Sequence, residues 1–238
     1  MRPRKLAIPF TFVAHPPRAR DSHRFCSMAV NEERIRRTFF GIGASAGGIE
    51  ALMGILDRLP RSLDATLAIV IHRSRAPLSV LAEILNRHST LPVTEPEDGE
   101  PIRKGRVYLA PRDHHMLVNG DLWHLSEDAP VHRWRPAVDP LLVSAAKDRG
   151  TEAVGVLLSG GGADGVEGLI EIKKRGGLSV AQDPRQALQG SMPRSAIRYD
   201  DVDLVLRVED IAAIIPSLAA GKAVDGGGED RAAGGTAD

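Results

Sequence analysis

The sequence predicts an α/β fold: a doubly wound, mostly parallel sheet in a single domain, with one antiparallel hairpin excursion. Three observations carry that expectation. Short runs of branched apolar residues alternate with amphipathic stretches of helical length. The runs are apolar throughout rather than at every second residue, as strands covered by helices on both faces must be. Glycine-rich turns stand where several of these runs give way to helices, the edge at which open α/β sheets bind ligands.

Taken in order, TFFGIGA (38–44) is a buried strand, followed by a helix from Gly48 to Leu59. ATLAIVI (65–71) is the next strand, followed by a helix near Leu78–Arg87. Residues 106–126 break the alternation. They read as strand, hairpin and strand on the rim of the sheet, with Asn119-Gly120 as a two-residue turn. Val138–Arg149 is helical, AVGVLLS (153–159) is a strand and Val166–Arg175 is helical again. LSVAQ (178–182) and DLVLRV (203–208) are further strands, and a last helix lies around Ile211–Leu218. No internal repeat is evident.

Composition removes several classes. Lys+Arg and Asp+Glu both total 31 in 238 residues, so no net charge advertises a nucleic-acid partner. The longest apolar runs, AIVI (68–71) and AVGVLL (153–158), are too short for membrane insertion. A single cysteine, Cys26, excludes an internal disulfide framework and a multi-cysteine metal site. A cytoplasmic location is expected. Residues 1–37 are basic and proline-containing, and Pro9 interrupts the one stretch that imitates a secretory signal. They are expected to be a disordered leader, or a start placed ahead of a true initiator at Met28. Residues 221–238 form a flexible Gly/Ala-rich tail, which leaves 38–220 as the folded part.

The first strand-to-helix junction, GIGASAGGIEAL (41–52), admits three readings. Gly43-Ala44-Ser45-Ala46-Gly47 matches G-x-S-x-G, the sharp turn that lifts a serine hydroxyl above a sheet. Gly41, Gly43 and Gly47 make a loose phosphate loop. Ser45 is also an acceptable helix N-cap. A serine nucleophile needs a base. His72 closes the second strand at the same sheet edge, and Asp164 stands in SGGGADG (159–165), beyond the third. Three strands that each end in one member of a Ser-His-Asp set favour acyl transfer.

The order Ser45…His72…Asp164 is not that of the α/β-hydrolases. The sequence resembles instead the catalytic domain of the chemotaxis protein-glutamate methylesterases, CheB type, over residues 39–219. The resemblance rests on GIGASAGGIEAL, IVIHRS, PEDGEPIRKGRVYLAPRDHHM, RPAVDPLL, AVGVLLSGGGADGVEGL and VAQDPRQALQGSMPRSAI. It implies a doubly wound α/β sheet, with Ser45 as nucleophile, His72 as base and Asp164 as acid. The implied reaction is hydrolysis of γ-glutamyl methyl esters on the cytoplasmic helices of chemoreceptors, with deamidation of glutamines as the related activity. Backbone amides near Ala46 and Gly161 would stabilise the oxyanion. Neither metal nor organic cofactor is implied. His115, Arg135 and Asp139 match positions expected to line or brace the substrate groove, and Met192-Pro193 a loop near the site, though a helix start explains that pair too.

The chain also departs from the family pattern. Residues 1–37 are too few to contain the phosphorylatable receiver domain that family members commonly carry, so a stand-alone esterase domain is expected. Gly161 stands where a methionine is usual, Ala163 where an asparagine is usual, and Arg73-Ser74 where Met-Pro is usual. Two rivals follow: a CheB-like binding or signalling module that has lost activity and acts on a non-chemotaxis partner, and a nucleotide-binding domain. Trp123 and Trp134 are expected to pack the hairpin, and Glu50 and Glu83 to be solvated helix charges.

Overall fold

The computed structural model describes residues 35–72, 80–200 and 202–222. Most of the expected leader and tail, with Cys26 and Met28, lies outside the described residues, as do Arg73 and Ser74. The described chain begins before the expected boundary. Arg37 donates its backbone N–H to Leu218, and Arg36 pairs with Asp64 at 2.6 Å.

Fifteen elements follow: β1 (Phe39–Ala44), α1 (Gly48–Leu56), β2 (Thr66–Ile71), α2 (Leu81–Arg87), β3 (Val93–Thr94), β4 (Arg106–Leu109), β5 (His115–Asn119) and β6 (Leu122–Ser126) come first. Then come α3 (Val138–Arg149), β7 (Ala153–Leu157), α4 (Val166–Lys174), β8 (Leu178–Gln182), α5 (Ser191–Asp200), β9 (Leu204–Leu206) and α6 (Val208–Ala219). Among the described residues, seven strands form one sheet in the order β3-β4-β2-β1-β7-β8-β9, and every pairing in it is parallel. None of the helices among them is long and apolar enough to cross a membrane.

The expected rim excursion divides in two. β4 joins the main sheet between β3 and β2, because Val107, Tyr108 and Leu109 are buried and only a central position covers both faces. The antiparallel pair is β5–β6 alone, and its turn lies one residue beyond the expected Asn119-Gly120. Asn119 pairs with Leu122, so Gly120 and Asp121 make the two-residue loop, with Gly120 at φ 57° taking the position that glycine favours. Differences at other boundaries are small. α1 ends at Leu56, three residues early, and β9 keeps only three residues because it is the sheet edge.

Helices cover both faces. Phe40, Ile42 and Ala44 of β1 pack with α1, α2 and α6, while Phe39 faces the core built by α3, α4, α5 and the hairpin. On that second face β1 otherwise carries glycine. A Cβ at Gly41 would lie 2.4 Å from Leu142 Cδ2, and one at Gly43 would lie 2.5 Å from Val138 Cγ1. The missing side chains let α3 lie against β1, as Gly155 does for α4 against β7, where Leu169 Cδ2 is 2.5 Å from a Cβ. Backbone and side chains are dense on both sides, so the helix can only move outward. Gly43→Ala should therefore lower unfolding free energy by about 1–3 kcal/mol, read as a shifted urea midpoint at unchanged slope.

Candidate active site

The chain leaves neighbouring strands β1 and β7 toward opposite faces. α1 packs on one core and α4 on the other, so a crevice opens beyond these strand ends, as at the switch point of any doubly wound sheet. Registration brings the site residues to one level. Ala44 pairs with Ile71, so Ser45 and His72 follow on adjacent strands, and the His72 N–H donates to Ala44 O at 3.1 Å.

Ser45 sits in a turn tied at both ends. Its N–H donates to Ser159 O at 2.9 Å, and its carbonyl accepts from Gly48 at 2.9 Å. Gly47 has φ 73°, and a Cβ there would come within 2.6 Å of Leu188. Gly160 crosses so near that a Cβ would stand 2.9 Å from Ser45 Cβ. The phosphate-loop reading fails on this geometry. Gly41 and Gly43 are buried within β1 and face α3, where no ligand can reach them.

His72 and Asp164 meet in the interior, with side chains 1% and 2% exposed. His72 Nε2 lies 2.6 Å from Asp164 Oδ2. The other ring nitrogen, Nδ1, is buried and has no hydrogen-bond partner among the described residues, which leaves it available to a neighbouring hydroxyl. Asp164 also accepts N–H groups from the first turn of α3, Val138 at 2.7 Å and Asp139 at 3.0 Å. Burial alone would raise the Asp164 carboxyl. The hydrogen bonds from His72, Val138 and Asp139 outweigh it and hold the group below its ordinary value.

Asp139 forms the next layer. Its Oδ1 accepts the Gly168 N–H of α4 at 2.8 Å, and its Oδ2 lies 3.1 Å from His132 Nε2. Burial first, and then the negative charge of Asp164, push the Asp139 carboxyl up to about 6. His132, Asp139 and Asp164 offer ligand atoms within 4.8 Å of one another, the spacing a metal ion would need. Each is already engaged, with His72, with α3 and α4 amides, or with its neighbour, so the donor set is better matched to proton sharing between two carboxyls.

A cleft of about 650 Å3 opens over Ser45. Ala46, residues 132–134, residues 161–164 and Gln189 line it. Neither the Ala46 nor the Gly161 N–H makes a hydrogen bond among the described residues, and both residues are exposed at the cleft. The departures at 161 and 163 leave this wall open. A Cβ at Gly161 would have no other atom within 4 Å.

Three further residues named from the sequence stand away from the cleft lining. His115 is buried at the start of β5, its Nδ1 accepting the Ala137 N–H at 3.3 Å. Arg135 pairs with Asp113 at 2.9 Å and donates to the carbonyls of Glu127 and Asp128. Met192 is fully buried beneath Gly160, where it backs the turn that carries Ser45.

Sequence reasoning missed two participants. Ser159 donates its Oγ to Ala46 O at 2.8 Å and accepts the Gln189 N–H at 2.9 Å, while its own N–H donates to Gln182 Oε1. It looked like the last residue of a strand, and nothing local marks it as the clip for the serine turn. Trp134 is the other. Trp123 packs the hairpin as expected at 1% exposure, but Trp134 is 36% exposed and lies flat on His72, with centroids 4.4 Å apart and planes within 7°.

Comparison with known proteins agrees with the geometry. The family model described as CheB methylesterase matches residues 40–215. A protein-glutamate methylesterase/protein-glutamine glutaminase of Anaeromyxobacter dehalogenans is 41% identical over 177 residues, which cover 74% of this chain and 52% of that one. A Leptospira interrogans relative is 38% identical, covering 74% of this chain and 92% of its own length. The crystal structure of the Thermotoga maritima CheB methylesterase catalytic domain superposes with a TM-score of 0.74 at 32% identity, covering 76% of this chain and 98% of that one. The chain spans about half the length of the first curated relatives it matches, 52% and 49%.

The coupled carboxyls predict a pH dependence. A carboxyl raised to about 6 binds its proton more tightly in the folded state, so its contribution is full below about 4 and is lost as pH rises through 6. Asp139→Asn keeps an acceptor for Gly168 and offers a permanent N–H toward Asp164. Its unfolding free energy relative to wild type should therefore rise between pH 4 and 7, by up to about 3 kcal/mol. A difference constant across that range contradicts the assignment.

Proposed function

Because the chain belongs to the CheB methylesterase family, we propose that it hydrolyses glutamate γ-methyl esters on chemoreceptor cytoplasmic helices, releasing methanol. The observation that carries the reading is the buried His72–Asp164 hydrogen bond of 2.6 Å at the strand end next to that of Ser45.

In this mechanism Ser45 Oγ attacks the ester carbonyl while His72 Nδ1 takes the hydroxyl proton. The imidazolium that forms is stabilised by Asp164, itself held ionised by the amides of α3. The ring nitrogens exchange the parts they play in the chymotrypsin arrangement, but the chemistry is the same. The tetrahedral oxyanion is met by the N–H groups of Ala46 and Gly161, both unengaged at the cleft wall. His72 returns the proton to the departing methoxide, and water then attacks the acyl-enzyme by the same path. A glutamine side chain would follow the identical course with ammonia leaving, the second activity in the names of the relatives.

The inactive-module reading finds no support in the departures at 161 and 163. If residue 161 contributes a backbone N–H, a missing side chain spares the chemistry.

Methanol release from methylated receptor membranes tests the function. Ser45→Ala and His72→Ala should each reduce release to background. The double variant should be hardly worse than either, because triad members act as a unit. Asp164→Asn should leave a remainder about four orders of magnitude below wild type. Losses that multiply in the double variant would dismiss the triad. Separately, Gly161→Met should fold with an unchanged Tm, since its side chain enters open space.

A further inference from the structure

Residues 131–134 form a tight hairpin at the cleft. Val131 and Trp134 exchange both backbone hydrogen bonds, at 3.1 and 2.8 Å, around a two-residue turn. Both central residues have positive φ, His132 at 48° and Arg133 at 72°. That is the conformation of a type I′ turn, which strongly prefers Asn-Gly because side chains are strained there. The β5–β6 turn, Gly120-Asp121 between the paired Asn119 and Leu122, places a glycine at its one positive-φ position. At 132–133 the chain holds a histidine and an arginine instead.

The products of that strain lie on the site. His132 Nε2 reaches Asp139 Oδ2 at 3.1 Å, and Asp139 is 4% exposed. Trp134, leaving the turn, lays its indole on the His72 ring at 4.4 Å and 7°. Among the described residues His72 is otherwise hydrogen-bonded at one ring atom, to Asp164, and Nδ1 has no partner. A single hydrogen bond leaves an imidazole free to pivot about it. A flat ring stacked on its face removes that freedom and shields it from water.

We propose that the 131–134 hairpin is a clamp for the general base: Trp134 and His132 are positioning residues, the first holding the plane of His72 and the second anchoring the turn to the Asp139–Asp164 pair. The strain persists because its favoured replacement would give up the anchor. The inference rests on the triad assignment, in which His72 activates Ser45.

The rate at which a fluorophosphonate labels Ser45 in the full chain reports that activation without any receptor, and Tm is recorded beside it. Trp134→Leu should label about tenfold more slowly, and Trp134→Phe, which keeps a flat face, should recover to within about twofold of wild type. His132→Asn/Arg133→Gly installs the residues the turn prefers, so its Tm should rise by a few degrees while labelling slows about tenfold. Opposite movement of Tm and rate is what a purely structural hairpin would not give. Labelling unchanged in Trp134→Leu and in the turn variant overturns the clamp, and so does a rate that falls only in step with Tm. Should Trp134→Leu fail to fold, the turn variant and Trp134→Phe decide the matter. Wild type labelled no faster than Ser45→Ala is a different result: it removes the triad, and the clamp with it.

Discussion

The cleft depends on how near α3 can come to β1. Gly41 and Gly43 remove two side chains from one face of the central strand, and α3 occupies the space. Its first turn then stands level with the strand ends, where Val138 and Asp139 direct N–H groups at Asp164. A buried carboxylate would otherwise be driven toward its neutral form. Gripped by the helix terminus it keeps its charge, and in the proposed mechanism that charge orients His72 and stabilises the imidazolium formed during turnover. Packing of α3 on β1 thus sets the electrostatics of Asp164, the acid of the proposed triad.

A second consequence of the same approach is the pairing of Asp139 with Asp164. Both project from helix starts or the loops before them, and α3 and α4 touch closely through Gly168, where a Cβ would meet Leu142 at 2.4 Å. Two carboxyls so placed do not ionise independently. Asp139 is the member pushed up and Asp164 the one held down, so as pH falls the first proton goes to Asp139 and Asp164 stays ionised beside His72. The proposed hairpin clamp attaches to the outer member of the pair, so the hydrogen-bonded chain runs from solvent at His132 to the interior at His72.

Much of this was legible in the sequence, for physical reasons that can be named. Strands β1, β2 and β7 announced themselves because fully buried strands are continuously apolar, and a serine, a histidine and an aspartate beyond three such runs can only collect at one edge. β4 was misplaced because its neighbours in sequence form a true antiparallel hairpin, and nothing in RVYL distinguishes a central parallel strand from a rim one. Trp134 was assigned to the hairpin on hydrophobicity alone. Its role depends on a turn geometry that His-Arg does not suggest, since those residues rarely adopt it. Ser159 was invisible for a different reason: its bonds go to residues more than a hundred positions away and thirty positions on, Ala46 and Gln189. His115 and Arg135 were placed near the groove by resemblance, and the fold uses both to hold the loops behind it.

The open space at Gly161 has a pharmacological consequence. A methionine at this position would fill the cleft wall beside Ser45, whereas glycine leaves a notch one side chain deep. An acylating inhibitor that carries a bulky substituent on that side would seat against Ser45 here and collide with the sulfur-bearing side chain elsewhere. A single absent side chain thus shapes a notch in which a covalent ligand directed at Ser45 could gain selectivity for this chain.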